Sequence, residues 1–190
     1  MNCAHITYAV TCFDKLEILR QDDSMKKEEE YYPIIKAKLE ELLKRKTQDF
    51  YLEITANKKF SDKLKVEIRK DRDIIFQFLK EAFPDITGFI KSKYSSDFIV
   101  IEFKRERIRL DDIYQTKKYK DLFAAKFAFL VSLEPIPTEI KRLDKAMNDQ
   151  ILRAGLHWTF AFVLVQFDKQ EKEFVEWYPE NPFEKDFYWT

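Results

Sequence analysis

The chain of 190 residues contains few of the residues that form disulfides, thiolate centres or flexible loops: two cysteines, two histidines and two glycines. Cys3 and Cys12 do not form a metal or redox motif. Two histidines that are far apart in the sequence argue against a zinc site. With 36% charged residues and almost no glycine, the composition is typical of a rigid, charge-rich protein.

Long hydrophobic runs are also lacking. No apolar stretch approaches the 18 or so residues that span a membrane. The N-terminus has neither the basic start nor the long apolar core of a signal peptide. We therefore expect a cytoplasmic protein with reduced thiols and no membrane partner.

There is no excess of charge of either sign, because 34 basic residues balance 34 acidic ones. This balance argues against a protein that coats DNA nonspecifically, but not against a nuclease whose basic surface is local. Residues 58–72 contain seven basic residues against three acidic ones, so they could contact phosphates or form a solvated helical face. Candidate nucleic-acid contacts are Lys58, Lys59, Lys117 and Lys118.

What the chain does have is enough apolar residues, 45% of the total, for one domain with a full core. We predict a single domain with a β-rich N-terminal extension (1–25), a core (26–133) and C-terminal helix and strands (134–190). Residues 5–13 are β-like and would either add to a sheet edge or cross to a partner chain.

The central feature is a predicted β-hairpin. Residues 86–90 and 98–103 are apolar or β-branched, and the polar residues 91–97 lie between them. If the turn centres near Tyr94, paired residues have numbers that sum to about 188. Asp85 would then lie opposite Phe103, beside Glu102 and Lys104.

Two charged residues end the second strand of this hairpin. Since side chains alternate along a strand, Glu102 and Lys104 share one face with Phe98 and Val100. Burying a charge costs several kcal/mol unless it is paired or ligates a metal, so two carboxylates with a lysine beside them predict a divalent-metal site. In the alternatives, Glu102 and Lys104 are a surface pair on an edge strand, and Asp85 is a turn residue.

These residues form a recognisable spacing. Pro84-Asp85, a gap of 16 residues and then Glu102-Phe103-Lys104 resemble the motif of the PD-(D/E)xK nucleases, and Gly88 also fits many members. The following helix contains Gln115-x-x-x-Tyr119, which resembles the extra motif of the RecB-like branch. The alternative is an ordinary exposed pair at i and i+4, which has the same spacing. The resemblance covers roughly residues 26–133.

The resemblance implies a restriction-endonuclease-like αβββαβ core, in which a mixed sheet is flanked by helices. It also implies a Mg²⁺- or Mn²⁺-dependent nuclease acting on nucleic acid, with DNA as the expected partner. The metal ligands would be Asp85, Glu102 and the backbone carbonyl of Phe103; Lys104 and Gln115 would complete the catalytic set, with Tyr119 in support. The first helix often supplies a further acid in this family; the candidates are Glu28 and Glu30, with Glu40 and Glu41 behind them, although each could instead belong to a solvated acidic helix. A homodimer is a further expectation, since many nucleases that cut two strands pair two active sites.

The hydrophobic periodicity of the rest of the chain predicts the same order of helices and strands as the family resemblance, and the two inferences are independent. The predicted helices are 26–46, 73–83, 110–126 and 138 to about 152, the last ended by Gly155; the predicted strands are 49–56, 127–133, 158–167 and 172–177. Pro33 indicates that the first helix either starts near Tyr32 or is kinked there. The aromatic tail should contact the body or a partner. Two other functions stay open: an inactive nucleic-acid-binding or assembly subunit with this fold, and an interaction module with an accidental motif.

Overall fold

The computed structural model describes residues 28–57, 59–69, 73–79, 83–92, 95–152, 161–186 and 189. The predicted N-terminal extension lies outside these ranges. The strands are β1 (Phe50–Ile54), β2 (Ile86–Lys91), β3 (Ser96–Lys104), β4 (Phe127–Ser132), β5 (Ala161–Asp168) and β6 (Glu173–Tyr178). The helices are α1 (Tyr32–Lys44), α2 (Asp62–Arg69), α3 (Ile75–Phe78), α4 (Leu110–Phe123) and α5 (Thr138–Ala146), followed by a 3₁₀ turn at Pro182–Glu184.

The six strands form one mixed sheet in chain order. β1, β2 and β3 are antiparallel, β3, β4 and β5 are parallel, and β6 returns antiparallel to β5. The parallel step from β3 to β4 passes through α4, as the strand–helix–strand pattern predicts. The α/β class, the mixed sheet and the flanking helices are therefore confirmed.

The hairpin of β2 and β3 forms as predicted, but its register differs by one residue. Ile86 pairs with Ile101 and Lys91 pairs with Ser96, so the loop contains four residues and paired numbers sum to 187. Asp85 directly precedes this ladder, so the shifted register places it level with Glu102, whereas the expected odd loop would place it level with Phe103.

The core lies on both faces of the sheet, and the alternation of β3 divides it. Phe98 and Val100 contact the buried residues of α2 and α4 on one face. Ile99, Ile101 and Phe103 contact α1 on the other. The predicted division of β3 into two faces is confirmed, and it places Glu102 on the α4 side.

α1 begins at Tyr32, which is one of the two possibilities that Pro33 left open, since a proline is tolerated in the first turn, where its missing N–H leaves no bond unmade. The later helices are shorter than expected. α3 covers only Ile75–Phe78, and α4 ends at Phe123. α5 ends at Ala146, well before the predicted end near Leu152. Asn148 and Asp149 follow it with positive φ, a backbone conformation that an α-helix does not continue. Gly155 lies outside the described residues.

The C-terminal residues cover the α1 face of the sheet. Trp189 stacks on Phe127 with ring centroids 4.8 Å apart, and Phe183 stacks on Phe129 at 6.0 Å. The prediction that the aromatic tail contacts the body is confirmed for these residues. Within the described ranges, no helix combines the length and apolarity needed to cross a bilayer.

Candidate active site

Asp85 is held in place by both neighbouring strands. Its backbone carbonyl accepts hydrogen bonds from the N–H groups of Thr55 (2.7 Å) and Ala56 (3.1 Å), just after β1. The Thr55 hydroxyl also donates to the Pro84 carbonyl at 2.6 Å. The side chain reaches β3, where Oδ2 accepts a hydrogen bond from the Phe103 N–H at 2.8 Å. Asp85 therefore links three strands and is more than a turn residue.

Glu102 and Lys104 lie at the end of an interior strand. β3 has β2 on one side and β4 on the other, and Glu102 is only 3% exposed. The ammonium of Lys104 lies 3.2 Å from Glu102 Oε1. The alternative of a surface pair on an edge strand is therefore wrong.

Gln115 and Tyr119 approach the same carboxylate from α4. Gln115 Nε2 donates to Glu102 Oε1 at 2.9 Å and lies 3.4 Å from the Tyr119 hydroxyl. Tyr119 is buried and Gln115 is half-buried, so the alternative of an exposed pair is also wrong. The sequence-predicted Gln-x-x-x-Tyr pair thus contacts the predicted carboxylate directly.

The second oxygen of Glu102 has a different environment. Oε2 is buried and has no hydrogen-bond partner within the described part of the chain. Among the described residues, every other buried side-chain oxygen or nitrogen has one. A buried, unpaired carboxylate oxygen is costly, so its presence in an otherwise satisfied site indicates a position for a ligand. In the same ranges, no group of three or more His, Cys, Asp or Glu side chains is arranged to hold a metal.

Two residues near α1 complete the surroundings. Glu28, the predicted helix acid, accepts a hydrogen bond from the Arg105 N–H at 3.3 Å, and Asp85 and Lys104 both influence its pKa. The Tyr32 hydroxyl donates to Asp85. Sequence analysis missed Tyr32 because it reads as one more member of the apolar stripe of α1. Its position four residues after Glu28 could have indicated that the two side chains share one helix face.

Burial controls the protonation of this cluster. It raises the pKa of Glu102 well above the ordinary value, and the nearby Asp85 charge raises it further, against the opposing effect of Lys104. Burial also raises the pKa of Asp85 despite the Phe103 N–H and Lys104. For Lys104, burial lowers the pKa but Glu102 and Asp85 outweigh it, so its pKa is raised. Burial and Glu102 raise the pKa of Tyr119 to about 12.

The predicted nucleic-acid contacts are placed unevenly. Lys58 lies outside the described residues, whereas Lys59 and Lys118 are exposed. Lys117 is half-buried, and its ammonium lies 3.3 Å from the Ile151 carbonyl and 3.4 Å from that of Gln150. In this structure Lys117 therefore holds the segment that follows α5.

Asp97, the other aspartate of the hairpin, lies within β3 and not in the turn. Its Oδ2 accepts from the Lys126 ammonium at 3.1 Å. Five residue steps of strand separate it from Glu102, or about 16 Å. Asp97 is therefore too far from Glu102 to share a metal with it.

The chain matches no protein-family model, and comparisons with curated proteins and with solved structures gave no match either. A functional proposal therefore depends on the arrangement of side chains around Glu102.

Proposed function

We propose that this protein is a divalent-metal-dependent nuclease that hydrolyses phosphodiester bonds, with DNA as the expected substrate. The observation that carries the proposal is the environment of the buried Glu102 carboxylate. Its Oε1 atom contacts both Lys104 and Gln115, whereas its Oε2 atom has no hydrogen-bond partner in the described residues. The order α1-β1-β2-β3-α4-β4, with α2 and α3 inserted after β1, also supports a restriction-endonuclease-like core.

The donor set suits Mg²⁺ or Mn²⁺. Both cations prefer carboxylate, carbonyl and water oxygens, and Mg²⁺ usually takes only one or two protein carboxylates and keeps several waters. Asp85 and Glu102 supply two carboxylates that are close enough for the Asp85 charge to raise the pKa of Glu102, and the Oε2 atom of Glu102 has no hydrogen-bond partner in the described residues. The site thus fits such a cation without a third acidic side chain.

The Phe103 carbonyl is oriented to take part. In a strand, the N–H and C=O of one residue point to the same side. The Phe103 N–H donates to Asp85. The Lys104 carbonyl instead accepts from the Leu133 N–H, which continues β4. The Phe103 carbonyl therefore points toward the Asp85 side of β3, which supports its expected role as a ligand.

In the proposed hydrolysis, a water oxygen bonds to phosphorus, the bond from phosphorus to the leaving sugar oxygen breaks, and that oxygen takes up a proton. A bound divalent cation would lower the pKa of the water and offset negative charge on the phosphate. Lys104 would orient or deprotonate that water, or stabilise the negative charge on the phosphate oxygens. Gln115 and the Phe103 N–H orient the two carboxylates.

The proposal is tested by cleavage assays in Mg²⁺ and in Mn²⁺. The substrates are single-stranded, double-stranded and branched DNA and RNA, in linear and circular form. Lys104→Ala should abolish cutting, whereas Lys126→Ala should not. Lys126 is a matched control because it is also largely buried and paired with a carboxylate of β3, but at the strand's other end.

Equal cutting by the parent and by Lys104→Ala would refute the proposal. If neither protein cuts any substrate and both are folded, an inactive nucleic-acid-binding or assembly subunit becomes the better explanation.

A further inference from the structure

A short loop with arginines at alternate positions connects the two halves of the candidate site. This arginine loop comprises residues 105–109. It directly follows Lys104 at the end of β3 and directly precedes α4, which carries Gln115. Its charged residues are Arg105, Arg107 and Arg109, against the single acid Glu106.

The backbone of the arginine loop is fixed at several points. Ile108 is buried in the core between β3 and α4. The Ser132 hydroxyl donates to the Glu106 carbonyl at 2.9 Å, and the Arg109 N–H donates to Asp112 Oδ2 at 2.8 Å. The Arg105 N–H donates to Glu28. The backbone of the loop is therefore held in place, while the side chains of Arg107 and Arg109 remain exposed.

Both of these arginines are exposed and weakly held. The side chain of Arg107 is 59% exposed and that of Arg109 is 74% exposed, and their ion-pair partners Glu139 and Glu106 are exposed as well. Exposed ion pairs stabilise a protein very little, because water and salt screen both charges. Each guanidinium can therefore exchange its carboxylate for a phosphate, which it binds with two parallel hydrogen bonds.

The loop is short enough to act on the same substrate as the site. Along the chain, the Cα atoms of Arg107 and Arg109 are at most about 11 Å and about 18 Å from the Cα atom of Lys104. Successive phosphates of one strand are about 3.4 Å apart along a duplex axis. The two guanidiniums are therefore within a few nucleotides of a phosphate that contacts Lys104.

We propose that the arginine loop binds the phosphate backbone of a nucleic-acid strand and positions that strand beside Glu102 and Lys104. The inference rests on the proposed nuclease function and adds to it a binding surface that is separate from the carboxylate site. Its ligand chemistry is a chain of phosphodiesters, which DNA and RNA share. The test below distinguishes these sources.

The test compares the parent with the double variant Arg107→Gln/Arg109→Gln. Binding to fluorescently labelled single-stranded DNA, duplex DNA and RNA is measured by anisotropy in EDTA, over a series of salt concentrations. The variant should bind roughly 10- to 100-fold more weakly at low salt. For duplex DNA, the slope of log K against log salt should become less steep by about 2, because two phosphate contacts are lost.

The chain offers a matched control at the far end of α1. Arg45 is 63% exposed and is paired with the exposed Glu41, like Arg107 with Glu139. It lies about 20 Å along the helix from Tyr32. Arg45→Gln should change neither the affinity nor the salt slope.

The acidic partners provide a test of opposite sign. Glu139→Gln releases Arg107 from its ion pair, so this variant should bind several-fold more tightly than the parent. Glu41→Gln removes the same charge next to Arg45 and should have no such effect.

Parental affinity and salt slope in the double variant, or no binding of the parent to any of the three nucleic acids, would overturn the inference. The outcome is separate from that of the cleavage assay. If the double arginine variant loses binding while Lys104→Ala still cuts, the role of the arginine loop in binding is supported and the proposed nuclease site is refuted. If Lys104→Ala is inactive and the double arginine variant binds normally, the nuclease site is supported and the role of the arginine loop is refuted. Circular dichroism confirms that each variant is folded.

Discussion

Gln115 donates to one oxygen of Glu102 at 2.9 Å, and the same oxygen receives the Lys104 ammonium, while the other oxygen of this buried carboxylate has no protein partner. A buried carboxylate with one unpartnered oxygen is stable in a folded core if a ligand such as a cation binds that oxygen, or if the carboxylate takes up a proton. These two possibilities lead to different measurements.

Divalent cations should stabilise the parent protein through Glu102. Magnesium or manganese that binds only the folded state adds about 2.7 kcal/mol to the free energy of unfolding at a concentration 100 times its Kd. Glu102→Gln keeps the shape of the side chain but removes the charge, so this stabilisation should disappear in thermal melts. Asp97→Asn is the control on the same strand, remote from Lys104. Equal stabilisation of the parent and Glu102→Gln would contradict the prediction.

Without metal, the contribution of Glu102 to stability should fall as the pH rises. The unfolded chain releases the Glu102 proton near pH 4.3, but the folded state retains it to a higher pH because burial and Asp85 raise its pKa. Between these two values the folded state binds more protons, so the free energy of unfolding falls with increasing pH.

Urea unfolding in EDTA at a series of pH values measures this effect. The stability of the parent minus that of Glu102→Gln should decrease from about pH 4.3 upward through the raised pKa. A difference that is constant, or that grows with pH, would show that Glu102 does not titrate in this way.

Tyr32 should position Asp85 for metal binding. Its hydroxyl donates to the carboxylate, while its ring contacts Phe103 edge-on at 6.2 Å between centroids. Tyr32→Phe removes the hydroxyl and keeps the ring, so the affinity for Mn²⁺ measured by calorimetry should fall about tenfold with little change in stability.

The neighbouring Tyr31 provides the control for Tyr32. It stacks on Phe103 at 5.3 Å between ring centroids, so Tyr31→Phe retains the same type of packing. Its affinity for Mn²⁺ should match that of the parent. Equal losses in the two variants would indicate a packing effect and not a role of the Tyr32 hydroxyl.

Gly88 should be intolerant of a side chain for a structural reason. A Cβ at this position of β2 would lie 2.1 Å from the Tyr51 carbonyl oxygen and 2.4 Å from the Leu52 side chain, both in β1. The backbone oxygen cannot move without separating β1 from β2. Gly88→Ala should therefore lower the free energy of unfolding by about 3 kcal/mol or more, and urea denaturation measures this. A loss below about 1 kcal/mol would show that the strands adjust easily.

Much of the site could be predicted because it follows from local patterns. The alternation of β3 places Glu102 and Lys104 on one face, and the apolar residues before them indicate burial. The spacing of Gln115 and Tyr119 on α4 indicates that they share a helix face. These inferences depend on the period of a strand or a helix, which one sequence shows directly.

The remaining features depend on relations between elements. The partner of Asp85 depends on whether the hairpin loop has an odd or an even number of residues, and the polar residues 91–97 allow both. Tyr32 reaches Asp85 because α1 packs against the opposite face of the sheet, which its own periodicity does not indicate. Lys117 contacts the Ile151 carbonyl because α5 ends early, and that ending depends on two positive φ angles.

The interior position of β3 also has a dynamic consequence. Ladder partners on both sides hold this strand, so its backbone amides should exchange with deuterium only when the sheet opens as a whole. Glu102 and Lys104 are thus set at a nearly constant separation, whereas Gln115 belongs to a helix that can shift relative to the sheet. Any adjustment of the site to different ligands should therefore appear as faster exchange in α4, while the exchange of β3 remains slow.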